Sequence, residues 1–261
     1  MQKLKILKKY LHYRFISSTR YDIHPPFLFE LVTQVFENKS VDPNYLKIED
    51  LKHQLIKDHR KIIVTDLGAG SASGNRTERK IGFIARSSSK PKKYGRLLSR
   101  MVHYFQPEKI IELGTSLGFS SAYLASGSPE SEVITIEGCP NIAGLAQENF
   151  NKLGIRNIAL INGSFDNELP GLLDSTGHID FVFMDGNHKK EPTIKYFEQC
   201  LTKAVNETVF VFDDIHWSGG MEEAWNHIIN HPSVTLSVDI FFMGIVFLKK
   251  ELTKQHFIIR F

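Results

Sequence analysis

From residue 95 onward, short continuous apolar runs alternate with stretches whose apolar positions recur at helical spacing. The runs KIIEL (109–113), EVITIE (132–137), NIALIN (157–162), IDFVFMD (179–185) and TVFVFDD (208–214) predict buried strands. Between them, SSAYLASG, AGLAQENFNKLG (143–154), a short stretch near 168–174, EPTIKYFEQCL (191–201) and GMEEAWNHIIN (220–230) predict helices. Gly154 stands where a helix C-cap is expected. GRLLSRMVHYF (95–105) predicts a helix ahead of the first strand, and VTLSVDIFFMGIVFLKK (234–250) predicts two strands joined near Met243 and Gly244. Strand and helix alternate five times, which implies a parallel sheet with helices on both faces. Ligands of such sheets bind beyond the carboxyl ends of the strands.

The first 94 residues are less regular. FLFELVTQVFENK (27–39), after Pro25 and Pro26, predicts a helix. PNYLKIEDLKHQLIKDH (43–59) predicts another, with Asp42 as N-cap and Pro43 at the first helical position. KIIVTDLGAG (61–70) is a short apolar run ending in glycines, and the small, polar, basic stretch 71–93 reads as a loop or flexible lid. The expected organisation is a helical and loop region over 1–94, serving as substrate cap or lid, followed by a ligand-binding domain over 95–261.

Composition adds limits. With 261 residues, 42% hydrophobic and 23% charged, the chain is ordinary for a globular protein. No apolar run approaches the ~20 residues of a membrane span. The opening MQKLKILKKYLHYRF is interrupted by lysines and does not read as a signal peptide. With only Cys139 and Cys200, a cytoplasmic, disulfide-free protein is expected. The formal charge of +3 hides a split: residues 1–105 hold 21 Lys/Arg and 9 Asp/Glu (net +12), residues 106–261 hold 11 and 20 (net −9). The two parts therefore have different jobs or attract each other. The first 20 residues carry six Lys/Arg and no acid. Such a segment suits an anionic membrane surface or a phosphate backbone, but most often packs on an acidic partner surface.

The chemistry lies at the strand ends. Glu112-Leu113-Gly114-Thr115-Ser116-Leu117-Gly118 ends the first strand. Gly114 permits a tight turn and close approach of a ligand, Gly118 opens the next helix, and Thr115, Ser116 and Ser120 are candidate contacts. The spacing is not G-x-G-x-x-G, and the acid Glu112 suits a ligand bearing positive charge rather than a pyrophosphate. Glu137, with Gly138, ends the next strand 23 residues after Gly114, where an acid accepts both hydroxyls of a ribose. After the third strand, Gly163 and Ser164 form a small turn and Phe165 offers an apolar wall for an adenine; a plain surface turn reads equally well. Asp185, His188 and Lys189 follow the fourth strand; Asp213, Asp214 and His216 follow the fifth. If those strands are neighbours, the three aspartates converge and repel unless a hard cation such as Mg²⁺ or Ca²⁺ sits among them. The alternative is that they cap the helices that follow. Asp185, His188, Lys189 and His216 are the candidate catalytic residues, the last three as general base.

These motifs resemble those of class I S-adenosylmethionine-dependent methyltransferases over residues 95–250. ELGTSLGFSSAYLA resembles the glycine-rich first motif and TIEG the ribose-binding acid. FMDGNH and FDDIHW resemble the acidic loops of catechol-type and bacterial small-molecule O-methyltransferases. The resemblance implies a Rossmann-like, doubly wound seven-stranded α/β sheet with an antiparallel last strand. It implies S-adenosylmethionine as cofactor, with Gly114 and Gly118 against its methionine part, Glu137 on the ribose, Phe165 near the adenine, and Asp185 among the cofactor contacts. In the catechol-type branch a divalent cation is held by an Asp and an Asp-Asn pair, matched here by Asp185 and by Asp213-Asp214, with Asp in place of Asn. That branch uses a Lys after the first aspartate as base; Lys189 lies near that place and His188 competes with it.

The expected function is O-methylation of a small-molecule hydroxyl, with a divalent cation as a candidate assistant. The alternatives are an RNA-modifying methyltransferase and a non-catalytic binding protein of the same fold. No Asn/Asp-Pro-Pro-Tyr/Phe motif follows the fourth strand, which argues against nucleic-acid amino methylation. Phe-rich strands near the C-terminus serve either a homodimer or the core. Asp66-Leu67-Gly68-Ala69-Gly70-Ser71 imitates a cofactor loop, but SASGNRTERK is a poor helix start; a lid using Arg76 or Arg79 is its functional alternative to a solvated loop.

Overall fold

The computed structural model describes residues 2–66, 75–87 and 91–261. These fall into two compact units: residues 1–38 with 176–261, and residues 39–175.

In the second unit, three strands run parallel in the order β3 (Lys109–Leu113), β4 (Glu132–Glu137), β5 (Ile158–Asn162). Crossovers through α6 (Phe119–Gly127) and α7 (Pro140–Leu153) join them. The apolar runs of β3 and β4 are buried, that of β5 at the sheet edge is only half-buried, and all three carboxyl ends emerge at one edge. α5 (Lys92–Phe105) packs on α6. α3 (Pro43–Ile56) begins as expected: the Asp42 side chain accepts from the Asn44 amide. Gly154 closes α7 at φ +71.

The stretch 71–93 corrects the expected loop. Asn75–Lys80 is a strand, β2, antiparallel to β1 (Lys61–Asp66), and Ile81–Ser87 is a helix, α4. The rest of that stretch, residues 71–74 and 88–90, lies outside the described residues, as do 67–70 of the glycine-rich sequence and the side chain of Arg76. Arg79 is on exposed β2, where its Nε donates to Thr77 Oγ1 at 3.2 Å. The hairpin is anchored, not free. Val64 is buried with Ile81, Ile84, Ile142 and Leu145, and Cys139 at the start of α7 accepts from the Thr65 amide at 3.3 Å.

In the first unit, the strand order is β10 (Gln255–Ile258), β8 (Leu236–Asp239), β9 (Met243–Phe247), β7 (Ala204–Asp213), β6 (Ile179–Met184). β6 and β7 are parallel, while β9 is antiparallel to both β7 and β8. The sheet counts eight strands and is mostly parallel. Seven of them, with β9 the antiparallel last, follow the expected fold, and β10 is an additional strand parallel to β8. α8 (Phe165–Ser175) belongs to the second unit; α9 (Lys190–Leu201) and α10 (Gly219–Asn230) belong to the first. The phenylalanines form its core: Phe197 meets Phe210 and Phe212 edge-on at 5.2 and 5.8 Å. β9, with Phe247 at its end, is fully buried within the chain.

α1 (Gln2–Ile16) also belongs to this unit. Tyr10 and Tyr13 pack on Phe241 with ring centroids 5.0 and 5.3 Å away, and Tyr13 Oη donates to the Ile259 carbonyl at 2.5 Å. Burial pushes the Tyr13 hydroxyl pKa up to about 12. The predicted helix 27–39 is shorter: α2 (Pro26–Leu31) runs into one π-helical turn, Val32–Phe36.

Candidate active site

The glycine turn of the second unit is built around two carboxylates. Glu112 ends β3 fully buried. Its Oε2 accepts from the Ser121 hydroxyl and, at 2.6 Å, from Thr135. Thr135 has one proton and gives it to Glu112, so the 2.6 Å contact between Thr115 and Thr135 must be donated by Thr115. The side chain of Thr115 thus faces inward and braces the turn. Glu112 Oε1 is buried with no hydrogen-bond partner among the described residues. Burial pushes the Glu112 carboxyl up to about 7, against the hydroxyls of Ser120, Ser121 and Thr135, which pull it down.

Glu137 ends β4 and grips the turn from the other side. Its Oε2 accepts from the Ser116 amide and its Oε1 from the Cys139 amide, both at 2.9 Å. Ser116 stands at φ +48, a left-handed conformation unusual for a residue with a side chain and fixed here by that bond. Gly114 at φ +108 and Gly118 at φ +82 need to be glycine. A Cβ on Gly118 would also lie 2.4 Å from Phe150.

The turn after β5 is tied to the same place: the Gly163 amide donates to the Glu137 carbonyl at 3.0 Å and Asn162 Nδ2 does so at 2.7 Å. The Ser164 carbonyl opens α8 by accepting from Asn167 and Glu168, and Phe165 is half-buried beside it. The candidates Glu112, Gly114, Ser116, Gly118, Ser120, Glu137, Gly138 and the 163–165 turn therefore share one strand-end edge. Sequence reasoning assigned no role to Thr135, although it stands two residues before Glu137 in a buried strand, where a hydroxyl requires a partner.

The first unit holds a second constellation. Asp185 after β6, His188 and Asp213 at the end of β7 present ligand atoms all within 4.8 Å of one another. Asp213 is buried; Asp185 and His188 are half-buried, with His188 Nε2 3.7 Å from Asp185 Oδ1. The expected convergence of the two loops occurs, but with His188 as third member in place of Asp214. Asp214 stands at φ +55 with its amide on the Phe242 carbonyl, which turns it out of the group. Lys189 is exposed and is the N-cap of α9.

His216 lies apart from the three-residue group. Its Nε2 meets Asp239 Oδ2 at 2.7 Å and its Nδ1 meets Glu222 Oε1 at 3.2 Å, with Phe241 stacked on the ring at 5.2 Å. Burial works to lower the pKa of the imidazole, but the hydrogen bonds and charges of Asp239 and Glu222 prevail and raise it. A histidine held in this way pins the loop after β7 to the end of β8. The sequence analysis gave Asp239 no role, since a lone acid within VDIFF does not announce its partner.

Residues 111–215 match the family described as a methyltransferase domain. A catechol O-methyltransferase of Mycobacterium tuberculosis is 30% identical over 129 residues, 49% of this chain and 57% of that protein. One of Niastella koreensis is 30% identical over 124 residues, 46% of this chain and 55% of that protein. The chain thus matches little more than half the length of these curated relatives. Among solved structures, the SAH-bound methyltransferase PaMTH1 of Podospora anserina aligns with a TM-score of 0.61 at 16% identity, covering 88% of this chain and 99% of that one. The O-methyltransferase of Bacillus cereus in complex with SAH aligns at 0.58 and 18% identity, covering 85% and 97%.

Proposed function

We propose that this chain, which has the fold of class I S-adenosylmethionine-dependent methyltransferases, transfers the methyl group of S-adenosylmethionine to a hydroxyl of a small molecule. The observation that carries this is the paired acid and glycine turn: Glu137 closes on the Ser116 amide while Gly114 and Gly118 leave the two ends of the turn without side chains. Glu137 is the ribose ligand. Glu112, which ends β3 beside the glycine turn, is the acid offered to a ligand carrying an ammonium group. Phe165 and the 163–164 turn flank the adenine. The two cysteines are buried and unpaired, in keeping with a reducing, cytoplasmic setting.

S-adenosylmethionine supplies an electrophilic methyl on a sulfonium, so the protein's work is to align an acceptor oxygen and take its proton. Asp185, His188 and Asp213 fit a divalent cation: two carboxylates and an imidazole within ligand reach of one another, one carboxylate buried. The nitrogen donor favours a first-row transition-metal ion over Mg²⁺ or Ca²⁺. A cation there lowers the pKa of an acceptor hydroxyl. With His188 a ligand and both ring nitrogens of His216 tied to Asp239 and Glu222, exposed Lys189 is the candidate base.

The test is methyl transfer from labelled S-adenosylmethionine to catechol-type acceptors, with and without Mn²⁺. Turnover that needs Mn²⁺ and falls at least about 100-fold in Asp213→Ala supports the reading. Cofactor binding with no turnover on any hydroxylated acceptor refutes the acceptor class. A parallel Mn²⁺ titration by calorimetry reads the cation site independently of activity.

A further inference from the structure

The first helix leaves a face that its own unit does not cover. Tyr13 is buried, Tyr10 packs on Phe241 and Phe242, and Lys9 is tied to Glu222 at 2.8 Å, so the helix is fixed to the body by one side. On the other side Leu7, Leu11 and Phe15 are 51%, 60% and 88% exposed. At about 100° per residue these three, spaced by four, lie within an arc of about 80°. Arg14 flanks that arc on one edge, and Lys8 and His12 flank it on the other; all three are exposed. The face is an apolar stripe between two basic borders, continuous for about two helical turns.

We propose that this face lies on an anionic lipid surface, with Leu7, Leu11 and Phe15 entering the headgroup boundary and Lys8 and Arg14 meeting lipid phosphates. Three observations favour this occupant. Exposed large apolar side chains aligned on one face mark an interaction surface, because scattered ones need no such alignment. Basic borders around an apolar stripe match the layered chemistry of an anionic membrane, apolar within and negative at its surface. A second copy of the same helix fits poorly: the first 20 residues contain six Lys/Arg and no acid, so face-to-face pairing sets like charges against each other. No helix among the described residues is long and apolar enough to cross a membrane, so the association is with the surface.

The test is co-sedimentation of the full chain with vesicles of phosphatidylcholine alone and of phosphatidylcholine with about one third phosphatidylserine. The proposal expects binding to the anionic vesicles at least tenfold above that to neutral ones, weakened by high salt. It expects Leu7→Ser/Leu11→Ser/Phe15→Ser and, separately, Lys8→Glu/Arg14→Glu to lose at least tenfold of it, with unchanged thermal unfolding midpoints because these side chains are exposed. Equal partition onto both vesicles, or triple and double variants that bind like the parent, overturns it. Sedimentation showing a dimer that the triple variant dissociates, with no vesicle binding, also overturns it and assigns the face to a second copy.

Discussion

The two units handle charge in opposite ways. In residues 39–175 the two carboxylates of the turn are absorbed by the fold: Glu112 is buried among hydroxyls and pushed towards neutrality, and Glu137 is spanned by two backbone amides. In the other unit the acids are gathered where a cation can reach them, two beside His188 and two around His216. The first arrangement shapes backbone for a ligand; the second concentrates negative charge at the loops after β6 and β7. Chain order conceals this. The +12 and −9 halves of the sequence do not correspond to the units: the unit of 1–38 and 176–261 has 14 Lys/Arg and 14 Asp/Glu, and that of 39–175 has 18 and 15. Each basic stretch shares a unit with an acidic one, as Lys9 with Glu222 and Arg96 with Glu49 show.

The contrast is broken most severely at Gly118. Alanine there places a Cβ on Phe150 and forces φ +82 on a side-chain-bearing residue. The two costs together are about 3 kcal/mol or more, read as a lowered urea midpoint, with cofactor binding lost as the turn distorts. The same substitution at Gly219, which has open space around it and is the first residue of α10, serves as the control and costs under about 1 kcal/mol.

Glu112 sharpens the contrast through pH. Its folded pKa of about 7 exceeds the usual 4.5, so between those values the folded state holds more protons than the unfolded one. Stability from this group is present below about pH 4.5 and is lost as pH rises through about 7, a change of about 3 kcal/mol. Denaturant unfolding at pH 5 and pH 8 should show Glu112→Gln gaining on the parent at the higher pH by about that amount. A difference between the two proteins that stays constant with pH refutes the buried, neutral-leaning carboxyl.

The smallest effect is expected at His216. Alanine there strips the imidazole from buried Asp239 and costs about 2 kcal/mol, with little change in cation affinity because His216 lies outside the three-residue group. A loss of cation affinity as large as that of Asp213→Ala would mean that the two clusters work as one.

Strands β3, β4, β6, β7 and β9 were legible as continuous apolar runs because burial on both faces leaves that signature, and half-buried β5 kept enough of it to be read. β2 was not: NRTERK is wholly polar, and it is a strand because β1 pairs with it while Val64 and Cys139 anchor β1. β10 is four residues long, with its first two exposed and its last two half-buried, so its pattern carries no period. Gly114, Gly118 and Glu137 were legible because a strand end is where such residues have few other uses. The exchange of Asp214 for His188 was not, since it depends on a left-handed residue at 214 that an Asp-Asp sequence does not announce. Nor was the inward turn of Thr115, which follows from a hydroxyl 20 residues away.

The division of labour between the units is tested most directly by titrating S-adenosylmethionine calorimetrically into the parent, Glu137→Ala and Asp213→Ala proteins without added metal. The account predicts micromolar binding to the parent, about −8 kcal/mol, abolished in Glu137→Ala and retained within about threefold in Asp213→Ala. Absence of binding to the parent, or binding that survives in Glu137→Ala and fails in Asp213→Ala, would contradict it.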